Sequence, residues 1–575
     1  MRFCFQLILF ILISPILSIG QGIIINAGTT IVNTNNLITK NNFINNGLYS
    51  DNSGTVTFSG LTQQIAGISP TSFNNITISS GSTTTINSSG HSLQGTLLSN
   101  GTLNASGNIT LLSTAAKTAL IDGSGSGIVN GNITMQRYLP SGFGYKYVSS
   151  PFQSAVVGEF SDDMDLTATF PTFYYYDETQ NNTGWISYVN AASTLNPMRG
   201  YAANFGSDLL SKIIDVSGEV NNGSMQVNLF NNNKTYTKGF NLVGNPYPSP
   251  IDWDAASGWD KINIDDAVYY FDAGNTNQYK GTYSSYVNGV SSDGIANNII
   301  SSMQGFFVHV SDGAYPVSAT LGFSNAIRIN NLNPSFHKSN IRNDIPLIRI
   351  AASYKDYPAG VDPSVVYFVD ESSVRFENKW DALKIMNTDD YVPNIYIVSS
   401  NNAKQSIAAM PYPEDDLTLI PLGVLSKRKA WMRLFLKETI NIPEDVYLYL
   451  YDIKTGYHPL RDQQECLVYL DSNEYKDRFY LVFSKKDIQY IPEESDMFFA
   501  YTSNAKLFVY LSNQVALESN LYVRNLLGQV VFNKKMSGLG YHEIDLNLNT
   551  GIYIIQLDSK NNRYSKKVFV SDNIE

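Results

Sequence analysis

The stretch that decides the fold closes the chain: Leu521-Tyr-Val-Arg-Asn525-Leu-Leu-Gly528-Gln-Val-Val531, then Glu543-Ile-Asp545-Leu546, then Leu548-Asn-Thr-Gly551-Ile-Tyr553-Ile-Ile-Gln-Leu557, and last Lys566-Lys567-Val568-Phe-Val570. Each phrase alternates apolar and polar residues, and Gly or Asn sits where the chain must reverse. Alternation with period two puts one face of a strand in a core and the other in water, so these phrases predict the half-buried strands of a small antiparallel sandwich.

Order and spacing of Gly528, Asp545, Leu548, Gly551, Tyr553, Lys566 and Lys567 resemble the C-terminal sorting domain of proteins exported by the type IX secretion system of Bacteroidetes. That family usually has Asp three residues before the first Gly; here Asn525 stands in its place, and Asn makes the same side-chain-to-backbone turn bond. The resemblance covers about the last seventy to eighty residues. It implies a partner, the type IX export machinery, and a secreted or outer-cell-surface location. It also implies that the terminal sandwich is removed after export, leaving the mature protein released or attached to surface glycolipid.

At the other end, Arg2 precedes an apolar run from Phe5 to Ile19 that contains Pro15 and ends Ser18-Ile19-Gly20. The run falls short of the ~20 residues a bilayer span needs, so residues 1–20 are expected to be a signal peptide cleaved between Gly20 and Gln21. Cys4 lies in that leader without a lipobox arrangement, and Cys466 is then the single cysteine left, which precludes an intrachain disulfide.

With 575 residues, three or four domains are expected, without disulfides. Aromatics make up 12% and charged residues only 15%, and no stretch reads as a long amphipathic helix, so the chain is expected to be all-β. A net charge of −11 argues against nucleic acid or anionic lipid as partner, because both require a basic face.

Residues 21–135 are dominated by Asn, Thr, Ser and Gly, and their only charged side chains are Lys40, Asp51, Lys117 and Asp122. Short strands recur at near-regular intervals, and the phrase Asn-Ile-Thr-apolar occurs at Asn75, Asn108 and Asn132. Turn words Asn46-Gly47, Asn100-Gly101 and Asn130-Gly131 separate them. The pattern predicts a β-solenoid of coils about twenty residues long, with an irregular β-meander as its rival.

Residues 136–333 carry an internal duplication, with units of about 136–235 and 236–333. Tyr145-Lys-Tyr-Val148 matches Phe240-Asn-Leu-Val243, Phe173-Tyr-Tyr-Tyr-Asp177 matches Val268-Tyr-Tyr-Phe-Asp272, and Met198-Arg-Gly200-Tyr201 matches Met303-Gln-Gly305-Phe306. The third pair is offset by about ten residues more than the first two, as a single insertion would produce. The phrase from Gly239 through Asn245-Pro246-Tyr247 to Trp253 resembles exported Bacteroidetes proteins, a likeness of lineage that implies no chemistry. Residues 345–485 then read as a jelly-roll-like sandwich of seven or eight strands, with a helical turn between Phe376 and Lys384. Residues 497–575 are the span that the resemblance assigns to a sorting domain.

No nucleophile elbow, phosphate loop, zinc-protease motif or dinucleotide fingerprint occurs, and His91, His309, His337, His458 and His542 are scattered. Cys466 sits in an apolar strand, where a buried thiol has no base beside it. Neither catalytic residues nor a cofactor are therefore expected. Two acidic clusters, Asp162-Asp163-Met-Asp165 and Asp252-Trp253-Asp254, suit either Ca²⁺ or turn capping. Trp185, Trp253, Trp259 and Tyr174–Tyr176 suit either a sugar-stacking platform or a sandwich core. The function expected is a non-catalytic surface adhesin or binding protein, with a carbohydrate-binding or polysaccharide-degrading protein as alternative.

Overall fold

The computed structural model describes residues 22–333, 345–461, 465–488, 498–503, 506–511, 519–537, 540–546, 548–559 and 563–570. The expected signal peptide with Gly20 and Gln21, His337, and most of both expected linkers lie outside these residues. Among the described residues, regular structure is all strand apart from two single 3-10 turns, Val157–Phe160 and Asn325–Ile327. No helix among the described residues is long and apolar enough to cross a membrane. Two compact units emerge: residues 1–265, 269–281 and 297–338 form one, and residues 266–268, 282–296 and 339–575 the other.

The first unit begins as a stack of parallel coils. Thr62–Ala66 lies between Phe43–Asn45 and Thr83–Ile86, and Thr83–Ile86 pairs onward with Thr102–Asn104. Two further parallel sheets close each coil, one through Asn36–Thr39, Thr55–Phe58, Asn75–Ile78 and Thr96–Ser99, the other through Ser72–Phe73, His91–Leu93 and Ile109–Leu111. Thr83 pairs with Thr102 at an offset of 19 residues, and Thr102 pairs with Ile128 at 26. The region is therefore solenoid-like, with coils near the expected length.

Its sequence explains the stacking. Each strand points alternate residues inward, and Val56, Phe58, Ile76, Ile78, Leu97, Leu103 and Leu111 are fully enclosed. Burying each such side chain contributes about 1.5–3 kcal/mol. Asn45 turns inward at a bend and donates to Thr71 Oγ1 (3.1 Å) and the Pro70 carbonyl (3.1 Å), so its amide is satisfied where water cannot reach. Asn132–Leu139 runs across the change in composition and pairs antiparallel with Lys212–Glu219, which turns the parallel stack into the antiparallel region that follows.

In that region the matched phrases take the same strand order twice. Tyr145–Val148 lies beside Tyr201–Asn204, which lies beside Phe173–Tyr176. Likewise Phe240–Gly244 lies beside Gly305–Val310, followed by Ile264–Asp272. The insertion between Asp272 and Ser302 holds the hairpin Thr282–Val287/Val290–Ser291, which belongs to the second unit.

In the second unit, Leu347–Tyr354 through Asn473–Ser484 form one continuous sheet of eleven strands wrapped around a core of Ile348, Ile350, Val366, Ile395, Leu422, Leu434, Leu450 and Leu481. The sequence reading expected seven or eight. Among the strands it missed, Leu417–Ser426 carries Pro421 and Gly423 in its middle, residues that weaken a strand signal. A register shift between Leu422 and Val424 accommodates them. At the expected helical turn the Asp381 and Trp380 amides both donate to the Glu377 carbonyl (3.0 Å each), and the chain then re-enters the sheet as Ala382–Leu383.

The closing residues form two sheets of their own. Phe498–Ser503, Lys506–Leu511 and Gly540–Asp545 make one, and Val530–Met536, Ser519–Arg524, Gly551–Asp558 and Arg563–Val570 the other. Leu507, Val509, Ile544, Leu521, Val523, Ile555, Leu557 and Val570 fill the space between them.

Candidate functional site

In the terminal sandwich each residue of the expected motif has a definable task. Gly528 has φ of +80°, a left-handed conformation that glycine adopts without strain. Asn525 sits three residues earlier, and its Oδ1 accepts from the Leu527 and Gln529 amides (3.0 Å each). The turn thus keeps the side-chain acceptor that the usual Asp would supply. Gly551 opens its strand opposite Val570. Tyr553 donates its hydroxyl to the Asn549 carbonyl (2.9 Å), closing the turn before it. Leu548 is half-buried against the core, whereas Asp545 is exposed at the end of its strand, facing Lys506 in register. Lys566 and Lys567 occupy the last strand; Lys567 is exposed and Lys566 Nζ lies 3.7 Å from Asp415 Oδ2. Hydrogen bonding holds Asn525, Gly528 and Tyr553 in their turns, while Asp545 and Lys567 are exposed.

The first unit holds a cleft of about 390 Å³ where the last solenoid coils meet the duplicated region. Asp122, Asn130, Gln153, Glu219, Asn222 and Arg328 line it. Arg328 is already committed: it donates to the Ile121 carbonyl (2.5 Å), Ser249 Oγ (2.8 Å) and Asn222 Oδ1 (3.0 Å). Burial lowers its pKa to about 10. Asp122 accepts from the Ser124 amide (2.8 Å) and Asn330 Nδ2 (2.6 Å). Arg328 and Asp122 brace the walls, and Glu219 adds an exposed carboxylate to the lining.

The acidic clusters have internal partners. Asp165 Oδ1 accepts from the Thr167 amide (2.8 Å) and hydroxyl (2.7 Å), and Asp252 Oδ1 from the Asp254 amide (2.9 Å) and Asn298 Nδ2 (2.6 Å). Asp163 faces Lys212 Nζ at 3.4 Å, and burial raises its pKa to about 6. These are turn caps and an ion pair. Among the described residues, no three or more His, Cys, Asp or Glu side chains gather as metal ligands would.

The histidines are dispersed. His91 is buried in the solenoid, accepts from the Thr71 amide at Nδ1 (3.0 Å), and has its pKa lowered by burial. His458 contacts Thr455 Oγ1 (2.7 Å). His309 Nδ1 lies 2.6 Å from Asp265 Oδ2, and Ser311 donates to Asp265 Oδ1 (2.6 Å). The hydroxyl there binds the carboxylate rather than the imidazole, so the three do not form a nucleophile–base relay. Cys466 is buried beneath the sheet, and burial pushes its thiol pKa up to about 11.

Of the aromatics singled out in the sequence, Trp253 is buried, while Trp185, Trp259 and Tyr174–Tyr176 are half-buried in ring clusters. Trp253 is 1% exposed, packs on Trp259 at 4.8 Å and is capped by Lys261 Nζ at 3.7 Å from its ring centroid. Trp185 packs among Tyr147, Tyr176 and Phe307. The exposed pair that sequence reading missed is Trp431 and Tyr469, on neighbouring strands of the second unit.

Comparison with known proteins agrees with this division. A family model described as Domain of unknown function (DUF8693) matches residues 32–483, and one described as Secretion system C-terminal sorting domain matches residues 503–571. The tail is therefore a type IX sorting domain, its machinery is a partner, and the protein is secreted or displayed at the cell surface. No curated protein matches the chain. A solved structure titled Biofilm associated protein - BSP domain aligns at 8% identity over 77% of this chain and 93% of its own. Its TM-score is 0.14.

Proposed function

Because the chain belongs to the family described as Domain of unknown function (DUF8693) and ends in a sorting domain, we propose that it acts outside the cell as an adhesin or structural binding protein without catalytic activity. The observation that supports this reading is the outward face of the solenoid. Thr57 donates to Asn36 Oδ1 (2.7 Å), Asn104 to Thr85 Oγ1 (3.1 Å), and Asn130 to Asn104 Oδ1 (3.1 Å). Each bond joins one coil to the next. The result is a repeated array of uncharged donors and acceptors held in place before any ligand arrives, which lowers the ordering cost of binding.

Stacked coils and a wrapped sheet also leave few free strand edges, suiting a protein that must persist outside the cell without unwanted pairing. The terminal sandwich is then the export signal, removed once its task is done. The test is a glycan array probed with the full chain, run beside a reducing-sugar release assay on the same glycans. Binding without turnover supports the proposal, and turnover overturns it in favour of a polysaccharide-degrading enzyme.

A further inference from the structure

In the second unit, Ala430–Ile440 pairs antiparallel with Glu465–Leu470, and the latter is the last strand of its sheet. Met432, Leu434, Cys466, Val468 and Leu470 point inward to the core. The opposite face carries Trp431 directly across from Tyr469, and Arg433 across from Leu467. Trp431 is 51% exposed and Tyr469 49%. Their ring centroids are 5.4 Å apart with planes at 62°, so the two rings make a shallow notch.

Two ion pairs bracket that notch. Lys429 Nζ lies 2.9 Å from Asp471 Oδ1 on one side, and Arg433 Nε lies 2.6 Å from Glu465 Oε2 on the other. Lys429 also sits 5.9 Å from the Tyr469 centroid. Single exposed aromatics are ordinary, but two in contact at a sheet edge, ringed by charge, form a patch with a purpose.

We propose that Trp431 and Tyr469 form a stacking platform for a neutral, pyranose-based glycan. The inference rests on the reading of the chain as a binding protein and names one of its contact surfaces. A sugar ring has an apolar C–H face, which stacks on an aromatic ring, and an equatorial rim of hydroxyls, which both donate and accept. Here the rim meets Arg433, Glu465, Lys429 and Asp471. An apolar peptide or a second copy would strip water from both ion pairs without replacing its hydrogen bonds, at a cost. The bracket carries two positive and two negative charges, which balance, so it favours neither a uronate nor an amino sugar.

The full chain should be run in native gels cast with laminarin, xyloglucan or galactomannan, beside Trp431→Ala, Tyr469→Ala and Trp431→Phe. The platform predicts retardation in at least one gel, weakened roughly tenfold or more by Trp431→Ala and largely kept by Trp431→Phe. Melting temperatures should stay close to that of the parent, because the rings are half in water. Retardation in none of the three gels overturns the platform, as does retardation that Trp431→Ala leaves unchanged. Concentration-dependent dimerisation that Trp431→Ala abolishes assigns the face to a second copy and also overturns it. Release of reducing sugar by the full chain would instead overturn the non-catalytic reading, whatever Trp431 does.

Discussion

Val148 bridges Gln304 across the two halves of the duplicated region, and at the matched positions Val243 bridges Arg199. The hydrogen bonds repeat the relationship. Ser149 donates its amide to the Met303 carbonyl (3.1 Å), and Gly244 donates to the Met198 carbonyl (3.1 Å). A contact in which each half gives the other what it receives is isologous, the pattern of a two-fold interface between copies, here built within one chain. It explains why Met-x-Gly appears in both units. A Cβ on Gly305 would lie 3.0 Å from the Val148 carbonyl oxygen, and one on Gly200 would lie 2.6 Å from that of Val243.

Gly200→Ala and Gly305→Ala should therefore each destabilise the first unit by about 1–3 kcal/mol, the usual cost of overpacking a tight contact. Gly244→Ala belongs to the same set, since its Cβ would meet Ser149 Cβ at 2.3 Å. Urea denaturation followed by near-ultraviolet circular dichroism checks this. Midpoints equal to that of the parent would contradict the junction.

In the second unit Lys384 Nζ is held by both oxygens of Asp362 (2.7 Å each), and both side chains are 2% exposed. Asp362 also accepts from Asn387 Nδ2 and the Ile395 amide (2.7 Å each). Lys384→Met strands a buried carboxylate without its counter-charge and should cost about 3–5 kcal/mol. A loss of folding cooperativity or a lowered urea midpoint is the expected readout.

Asp163 supplies a pH dependence. Burial, opposed by Lys212, lifts its pKa from 3.8 to about 6, so the folded state prefers the protonated acid. Its contribution to stability is full below about pH 4 and is lost as pH rises through 6. The difference amounts to at most about 3 kcal/mol. Asp163→Asn should flatten the stability profile between pH 4 and 6 and leave the variant at least as stable as the parent at pH 7. A variant less stable at pH 7 would show that the Lys212 pair outweighs burial.

Cys466 should be silent in the native protein. With its thiol pKa pushed up to about 11 by burial, the thiolate that reacts with disulfide reagents is scarce near neutrality. Ellman's reagent should release no thionitrobenzoate from native protein cleaved after Gly20 and one equivalent after denaturation. Prompt reaction in the native state would contradict the burial.

How much of this was legible in the sequence depends on whether one residue type served one purpose. The duplication was legible because its Gly, Pro and Tyr positions answer both to strand order and to the junction. Asn525 was legible because its turn bond is local. The solenoid was legible in its repeated Asn-Ile-Thr phrases, where the inward Ile and outward Thr alternate without exception. The strand Ala430–Ile440 was read as a strand, yet its exposed face was hidden: Trp431, Met432, Leu434 and Phe435 are apolar on both sides, so period two gave no sign of which faces water. The same ambiguity made Trp253 and Trp185 look available for stacking when tertiary packing consumes them.

The central claim is that the closing residues fold as their own β module and serve as the export address. The most direct measurement is cell fractionation of a strain expressing the chain without residues 498–575. The account predicts a protease-resistant, folded remainder held in the periplasm and absent from the surface and medium. Normal surface display of the truncated chain would contradict it.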